Sequence, residues 1–287
     1  MPLSTNDATT HRLPGPSGPA ATASSAPSVS VIIPTWNEAK QLPATIAAAT
    51  AAGAEIVIVD GGSTDDTVEV ARKLGAHVLQ TEAGRGRQLA AGATAARGEL
   101  LLFLHADARL PTGYADQVRT KLADPATAIG AFQLAIDGEG FGLRCIEWGV
   151  RRRCRWLKLP YGDQALFVRA ATYRQLGGFR DMAAMEDFDF VRRARQLGTV
   201  AIVDAPVLTS ARAWQQHGLL RTSLFNTVCA LLCSFGVAPD RVARWRVRHR
   251  LAAHHQAARH PAAEPRAAPT TGHATSSDGS LGEPCKR

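Results

Sequence analysis

Acidic and polar side chains recur in this 287-residue chain wherever a short apolar run ends. Ser30–Ile33 leads into Pro34-Thr35-Trp36-Asn37-Glu38, Glu55–Val59 into Asp60-Gly61-Gly62-Ser63-Thr64-Asp65, and Leu100–Leu104 into His105-Ala106-Asp107. A carboxylate at Asp60 can accept from a base N–H or a ribose hydroxyl, and one at Asp107 can hold a hard divalent cation through oxygen. Gly84-Arg85-Gly86-Arg87 places cations and close backbone approach at a helix start, which suits a diphosphate. Each stretch also has an ordinary structural use. Asp60-Gly61-Gly62 can be a turn, Ser63 or Asp65 a helix cap, and a basic turn is commonly just solvated. Those uses explain each stretch singly but not acidic residues at consecutive strand ends, which point to a site. Gly162-Asp163-Gln164 and Met185-Glu186-Asp187 add two more acidic stretches. Glu186 and Asp187 precede the amphipathic run Phe188–Leu197, where capping through the helix dipole and chemistry explain them equally well.

The elements that must position these residues follow from hydrophobic periodicity. Ser30–Ile33, Glu55–Val59, His77–Leu79 and Leu100–Leu104 read as strands, several too uniformly apolar to have a wet face. Ala39–Ala52 before Gly53, Asp65–Leu74 after a Ser63 or Thr64 cap, and Arg87–Arg97 before Gly98 read as helices. This alternation predicts an α/β fold with a parallel sheet covered on both faces and ligands beyond the carboxyl ends of the strands. A mixed second half continues the sheet, with strands at Ile129–Ile136, Gln164–Val168 and Val200–Val203 and helices at Phe141–Trp156 and Asp187–Leu197. No GxGxxG follows the first strand and no GxxxxGK[ST] occurs, which argues against a dinucleotide-binding Rossmann domain and a P-loop.

Composition sets the outer bounds. Residues 1–28 and 252–287 are rich in small residues and Pro, bury too little to offset the entropy of ordering, and read as disordered tails. The intervening residues 29–251 suit one large α/β domain with a basic C-terminal helical extension. At 45% hydrophobic and 20% charged the chain is globular. Its net charge of +8 comes mainly from Arg144, Arg151, Arg152, Arg153, Arg155 and Lys158, then Arg241, Arg244, Arg246, Arg248 and Arg250. Such clusters suit an anionic partner, or are solvated helix faces. Five cysteines without CxxC spacing point to a reducing, cytoplasmic compartment. Leu224–Ala238 is too short to span a bilayer; it reads as a buried helix, or as an interfacial one that holds the chain peripherally on an anionic membrane.

VSVIIPTWNE, VIVDGGSTDDT, LLFLHAD, GDQALFVRAATYRQLGGF and MEDFDFVRRARQLG, in that order, resemble the inverting family 2 glycosyltransferases of the GT-A fold, over about residues 29–246. TSARAWQQHGLLRTSLFN further resembles a bacterial subgroup whose acceptors are in some relatives lipid-like. The resemblance implies a mixed, mostly parallel sheet with helices on both faces, a nucleoside-diphosphate sugar as donor, and Mg²⁺ or Mn²⁺ as cofactor. It implies that Pro34, Glu38 and Asp60 line the nucleoside pocket, that Arg85 lies near base or phosphate, and that Asp107 binds metal. It further implies Asp187 as the acceptor base with Glu186 beside it, and Asp163, Gln164, Arg212 and Trp214 as positioning donor or acceptor. The departure is His105, which stands where the family pattern has the first Asp of Asp-X-Asp; it is a candidate second metal ligand.

The chemistry of the residues agrees. Displacing a nucleoside diphosphate from an anomeric carbon needs no proton on the leaving group, because a divalent ion and cations can absorb its charge. One general base then suffices, unlike the carboxylate pair of a glycosidase, and a single displacement inverts the centre. The rival reading is a transferase-like binding module for nucleic acid or anionic membrane; no zinc finger or RNA-recognition motif supports a nucleic-acid partner.

Overall fold

In a computed structural model the described residues are 26–50, 52–182 and 184–218, together with 227–229, 231–232, 235–238, 241–242 and 244–245. Residues 1–25 and 252–287 of the two expected tails lie outside them, as do Arg246, Arg248 and Arg250 and much of Leu224–Ala238. The strands are β1 (Val29–Thr35), β2 (Glu55–Asp60), β3 (His77–Gln80), β4 (Leu100–Phe103), β5 (Ala108–Arg109), β6 (Thr127–Asp137), β7 (Leu166–Arg169) and β8 (Thr199–Ser210). The α-helices are α1 (Leu42–Thr50), α2 (Thr67–Lys73), α3 (Arg85–Ala95), α4 (Tyr114–Ala123), α5 (Phe141–Leu157), α6 (Ala170–Gln175), α7 (Glu186–Ala194) and α8 (Arg212–His217).

Strands that are apolar on both faces dictate the layering. Along β1, Val31 and Ile33 point into one core and Ile32 into the other, and all three are fully buried. β2 and β4 divide in the same way. Such strands need a helical layer on each side. Leu42 and Ile46 of α1, Ala71 of α2, and Tyr114 and Val118 of α4 cover one face. Leu89 of α3 and Phe190, Val191 and Ala194 of α7 cover the other. The eight strands form one sheet in the order β3-β2-β1-β4-β7-β6-β8-β5. β1 is parallel to β2 and β4, β3 to β2, and β8 to β6, whereas β7 is antiparallel to both of its neighbours. The expected mixed, mostly parallel sheet with helices on both faces is therefore present.

Several boundaries differ from expectation. α2 is preceded by Asp66 and not capped by Ser63 or Thr64, because both of those side chains bond elsewhere in the ligand loops. The stretch Gln164–Val168 divides into a 3-10 turn, Gly162–Gln164, and β7, with Ala165 left-handed between them. β8 runs past Val203 to Ser210 through a register shift in which Phe132 faces Val203 but Gln133 faces Pro206. Asp204 and Pro206 interrupt the apolar alternation, which hid the continuation; a proline is tolerated in a strand at such a bulge. Short α4, α6, α8 and β5 were not anticipated.

Gly130 of β6 stands opposite Phe167 of β7, whose ring lies across the glycine. A Cβ at Gly130 would sit 2.2 Å from that ring. Gly130→Ala is expected to cost about 1–3 kcal/mol in urea denaturation through overpacking. Combined with Phe167→Leu it should cost less than the two single changes added; additivity would place the strain elsewhere.

Candidate active site

The sheet topology brings the polar stretches to one edge. β1, β2 and β4 are parallel, so Thr35, Asp60 and the residues after Phe103 leave the sheet side by side. β7 enters that same edge from the opposite direction, with Leu166 facing Phe103, so the 3-10 turn Gly162–Gln164 arrives beside His105. β8, extended by its bulge, ends there too and hands the chain to α8 and Arg212.

The first two loops brace one another. Asn37, in the left-handed conformation that asparagine tolerates, receives a hydrogen bond on its Oδ1 from Thr64 N (2.8 Å), and its own N–H donates to Ser63 Oγ (2.8 Å). Glu38 N donates to Thr67 Oγ1 at 2.8 Å. Asp60 is fully buried, and its Oδ2 accepts from Gly62 N and Ser63 N, both at 3.0 Å, while Ser63 Oγ donates to Oδ1. The turn and the binding readings of Asp60 are thus compatible, since a carboxylate has about four acceptor positions. Gln88 of α3, which the sequence did not single out, ties the two strands together by donating to Thr35 O at 2.9 Å and Val59 O at 2.8 Å. Glutamine is an ordinary helix-surface residue, so its type carried no signal.

Arg85, at the start of α3, gathers the acidic residues. Its Nε lies 2.9 Å from Glu186 Oε1, a contact not aligned as a hydrogen bond, and its Nη2 lies 3.5 Å from Asp187 Oδ2. Burial opposes the Arg85 charge, but the carboxylates of Glu186, Asp187, Asp163 and Asp107 outweigh it and raise its pKa. Asp187 Oδ2 also accepts from Gly162 N at 2.7 Å. Gly162 has no room for a side chain here, since a Cβ would lie 2.1 Å from Arg85 and 2.9 Å from Asp187. Met185 before the pair adopts φ 68°, a left-handed conformation uncommon for a long side chain, and this turn swings Glu186 and Asp187 into the first turn of α7.

His105 and Asp107 diverge. His105 lines a small cavity with Arg85, Phe103, Gly162, Phe179 and Asp187, and its Nε2 is buried without a hydrogen-bond partner among the described residues. Burial and then the Arg85 charge push its pKa down to about 3, so the imidazole is neutral. Asp107 instead faces Arg212, whose Nη2 lies 3.5 Å from Asp107 Oδ2 and 2.5 Å from Glu38 Oε1. Burial raises the Asp107 pKa, with Arg212 and Arg85 opposing. Among the described residues no three His, Cys, Asp or Glu side chains form a metal-binding group. A lone carboxylate such as Asp107 holds Mg²⁺ only together with oxygens of other groups, such as phosphate and water.

Asp163 lies beside the Arg85 cluster; burial raises its pKa, and its Oδ1 is buried and unpartnered among the described residues. Gln164 does not face the cleft. It is fully buried, with Oε1 accepting from Arg153 Nη2 (3.0 Å) and Tyr161 N (3.2 Å) and Nε2 donating to Phe132 O (2.9 Å). Trp214 is likewise buried and packs with Leu134, Ile136, Leu143 and Val150. Both residues, expected to position donor or acceptor, are buried side chains. Arg153, read from sequence only as part of a basic cluster, stacks 3.5 Å over the Tyr161 ring and so fixes the turn that carries Asp163. A cavity of about 640 Å³ opens at the amino ends of the strands between Leu100, Leu122 and Arg169, remote from these groups.

A doubly covered sheet with acidic loops at its carboxyl edge defines a GT-A fold, and comparison with known proteins places it further. The profile of glycosyl transferase family 2 matches residues 30–178, and the chain belongs to that family. An uncharacterized glycosyltransferase of Mycobacterium tuberculosis is 31% identical over 144 residues, a match covering 48% of this chain and 64% of that protein. The chain thus spans less than two thirds of that relative's length. Glucosyl-3-phosphoglycerate synthase from Mycobacterium tuberculosis, solved with phosphoglyceric acid, superposes with TM-score 0.54 at 18% identity over 74% of this chain and 81% of its own. A mannosyltransferase from Pyrobaculum calidifontis, solved with GDP-Man and Mn²⁺, gives TM-score 0.52 at 20% identity over 84% and 77%. These two likenesses concern the fold.

Gln88→Leu removes the donor shared by Thr35 O and Val59 O. It is expected to lower stability by about 1–3 kcal/mol in chemical denaturation. An unchanged midpoint would show that Gln88 does not hold the two strand ends together.

Proposed function

We propose that the chain transfers a sugar from a nucleoside-diphosphate donor to a hydroxyl acceptor by a single inverting displacement. The observation that carries this reading is the Arg85 cluster, in which Asp187, Asp163 and Asp107 act on one cation at the carboxyl edge of the sheet of a family 2 chain. The donor class is supported by the GDP-Man bound in the Pyrobaculum neighbour.

In this reading Pro34, Glu38 and the Asp60 turn form the nucleoside pocket, with the exposed Trp36 ring free to stack on a base. Arg85 sits where its charge meets the diphosphate. Asp107 would hold Mg²⁺ or Mn²⁺ together with diphosphate oxygens, and the ion, when bound, supplies charge neutralisation of the leaving group. Arg212 is shared by Glu38 and Asp107. His105 belongs to the lining of the Arg85 cavity and is not assigned to the ion. Asp187, fixed by Gly162 N and Arg85, takes the proton from the acceptor hydroxyl as its oxygen attacks the anomeric carbon opposite the diphosphate. Glu186, nearly fully buried, orients Arg85 and through it Asp187. The acceptor surface lies toward Asp163, and a lipid-linked acceptor is the class we favour. The cytoplasmic side is the compartment we favour for the reaction, on the cysteine pattern of the chain.

A panel of UDP-, GDP- and dTDP-sugars with Mg²⁺ or Mn²⁺, read as diphosphate release, tests the reaction. Asp187→Asn, which preserves any capping role, is expected to lower turnover by roughly 10²–10⁴-fold while donor affinity in calorimetry stays near wild type. Turnover within a few-fold of wild type would remove Asp187 as the base, and no release from any donor would remove the transferase reading.

A further inference from the structure

Helix α5 is held rigidly on one side and left bare on the other. Leu143, Val150 and Cys154 pack against Leu134 and Ile136 of β6 and against Trp214. Glu147 Oε1 accepts from Ile136 N at 2.6 Å, Arg144 donates to Ile136 O at 2.8 Å, and Arg153 donates to Leu159 O at 2.9 Å. With rotation fixed at both ends, the outward stripe is set: Phe141, Cys145, Trp148, Arg152 and Trp156, spaced by three and four residues and so on one face. Phe141 is 85% exposed, Trp148 61%, Trp156 68% and Leu157 56%. The Arg152 guanidinium lies between the indoles, 4.7 Å from the Trp148 ring centre and 4.9 Å from that of Trp156. Arg151, Arg155 and Lys158 flank the stripe, exposed, and the only acid of the helix, Glu147, is turned inward.

Soluble surfaces seldom leave several large aromatics contiguous and uncovered. We infer that the outward face of α5 is a docking surface for an anionic lipid bilayer, on which the helix lies in the plane of the headgroups. Indoles favour that zone because one edge is apolar and the N–H needs a polar partner. Arginine and lysine stems lie along the apolar surface while their heads reach lipid phosphates. The charge pattern selects this occupant. A second copy of the same face would bring cations against cations with no exposed acid on the helix to meet them. A single-stranded nucleic acid is usually tracked by a groove with stacking platforms, whereas here the rings stand on the convex side of a helix.

The surface is also connected to the candidate site. Arg153, on the inner side of the same helix, bonds Gln164 of the turn that carries Asp163. A docked α5 would therefore bring the Asp163 end of the cleft toward the membrane; this orientation rests on the transferase reading, whereas the docking does not.

Vesicle sedimentation of the full chain, without donor or acceptor, tests the inference. Phosphatidylcholine vesicles are compared with vesicles in which a third of the lipid is phosphatidylglycerol. Wild type should sediment with the anionic vesicles and be released by salt. Trp148→Ser with Trp156→Ser, both exposed and so compatible with folding, should weaken partitioning about ten-fold or more. Arg151→Gln with Arg155→Gln should weaken it on anionic vesicles, and Arg241→Gln with Arg244→Gln should leave it nearly unchanged. Equal partitioning onto both vesicle types, none onto either, or full retention by the tryptophan variant would overturn the proposal. So would a wild-type dimer that the tryptophan variant dissolves, or tight binding of single-stranded nucleic acid abolished by that same variant.

Discussion

Bringing four carboxylates to one sheet edge is electrostatically unfavourable unless a cation stands among them, and Arg85 is that cation. It feels Glu186 and Asp187 from α7, Asp163 from the turn before β7, and Asp107 from the loop after β4. Without it, like charges in a partly buried space would push protons onto the carboxylates or push the loops apart. The glycines nearby answer the same need. Gly162 lets the guanidinium pass, and Gly86, whose Cβ would meet Arg180 O at 2.4 Å, lets the start of α3 approach the loop before α7.

The second cation, Arg212, stands at the start of α8 and works on the other side of the site. Its hold on Glu38 and Asp107 joins the loops after β1 and β4 to the start of α8. The neutral His105 makes chemical sense beside Arg85, because a second cation at that depth would face both burial and repulsion.

The basic cluster that first looked uniform proves to be two different things. Arg144 and Arg153 bond backbone and Gln164, while Arg151, Arg152, Arg155 and Lys158 stand exposed beside the tryptophans. Of the other segment considered for membrane contact, the described residues Cys229 and Val242 pack with Met185 and Phe188 near the candidate base. Charge counts could not separate these uses, because an arginine that caps carbonyls and one that awaits a partner have the same side chain.

The amino-acid sequence by itself determined the doubly covered sheet, since strands such as Val31-Ile32-Ile33 have no polar face to leave wet, and it determined the acidic strand ends that such a sheet collects at one edge. It also carried the ordered motifs of the family. Only the tertiary structure decided that Gln164 and Trp214 are buried, that Gln88 ties β1 to β2, and that His105 lines the Arg85 cavity while Asp107 faces Arg212. Those outcomes depend on β7 running antiparallel and on β8 continuing through its bulge to Arg212. Both are pairings between residues far apart in the chain, and local periodicity contains no term for them.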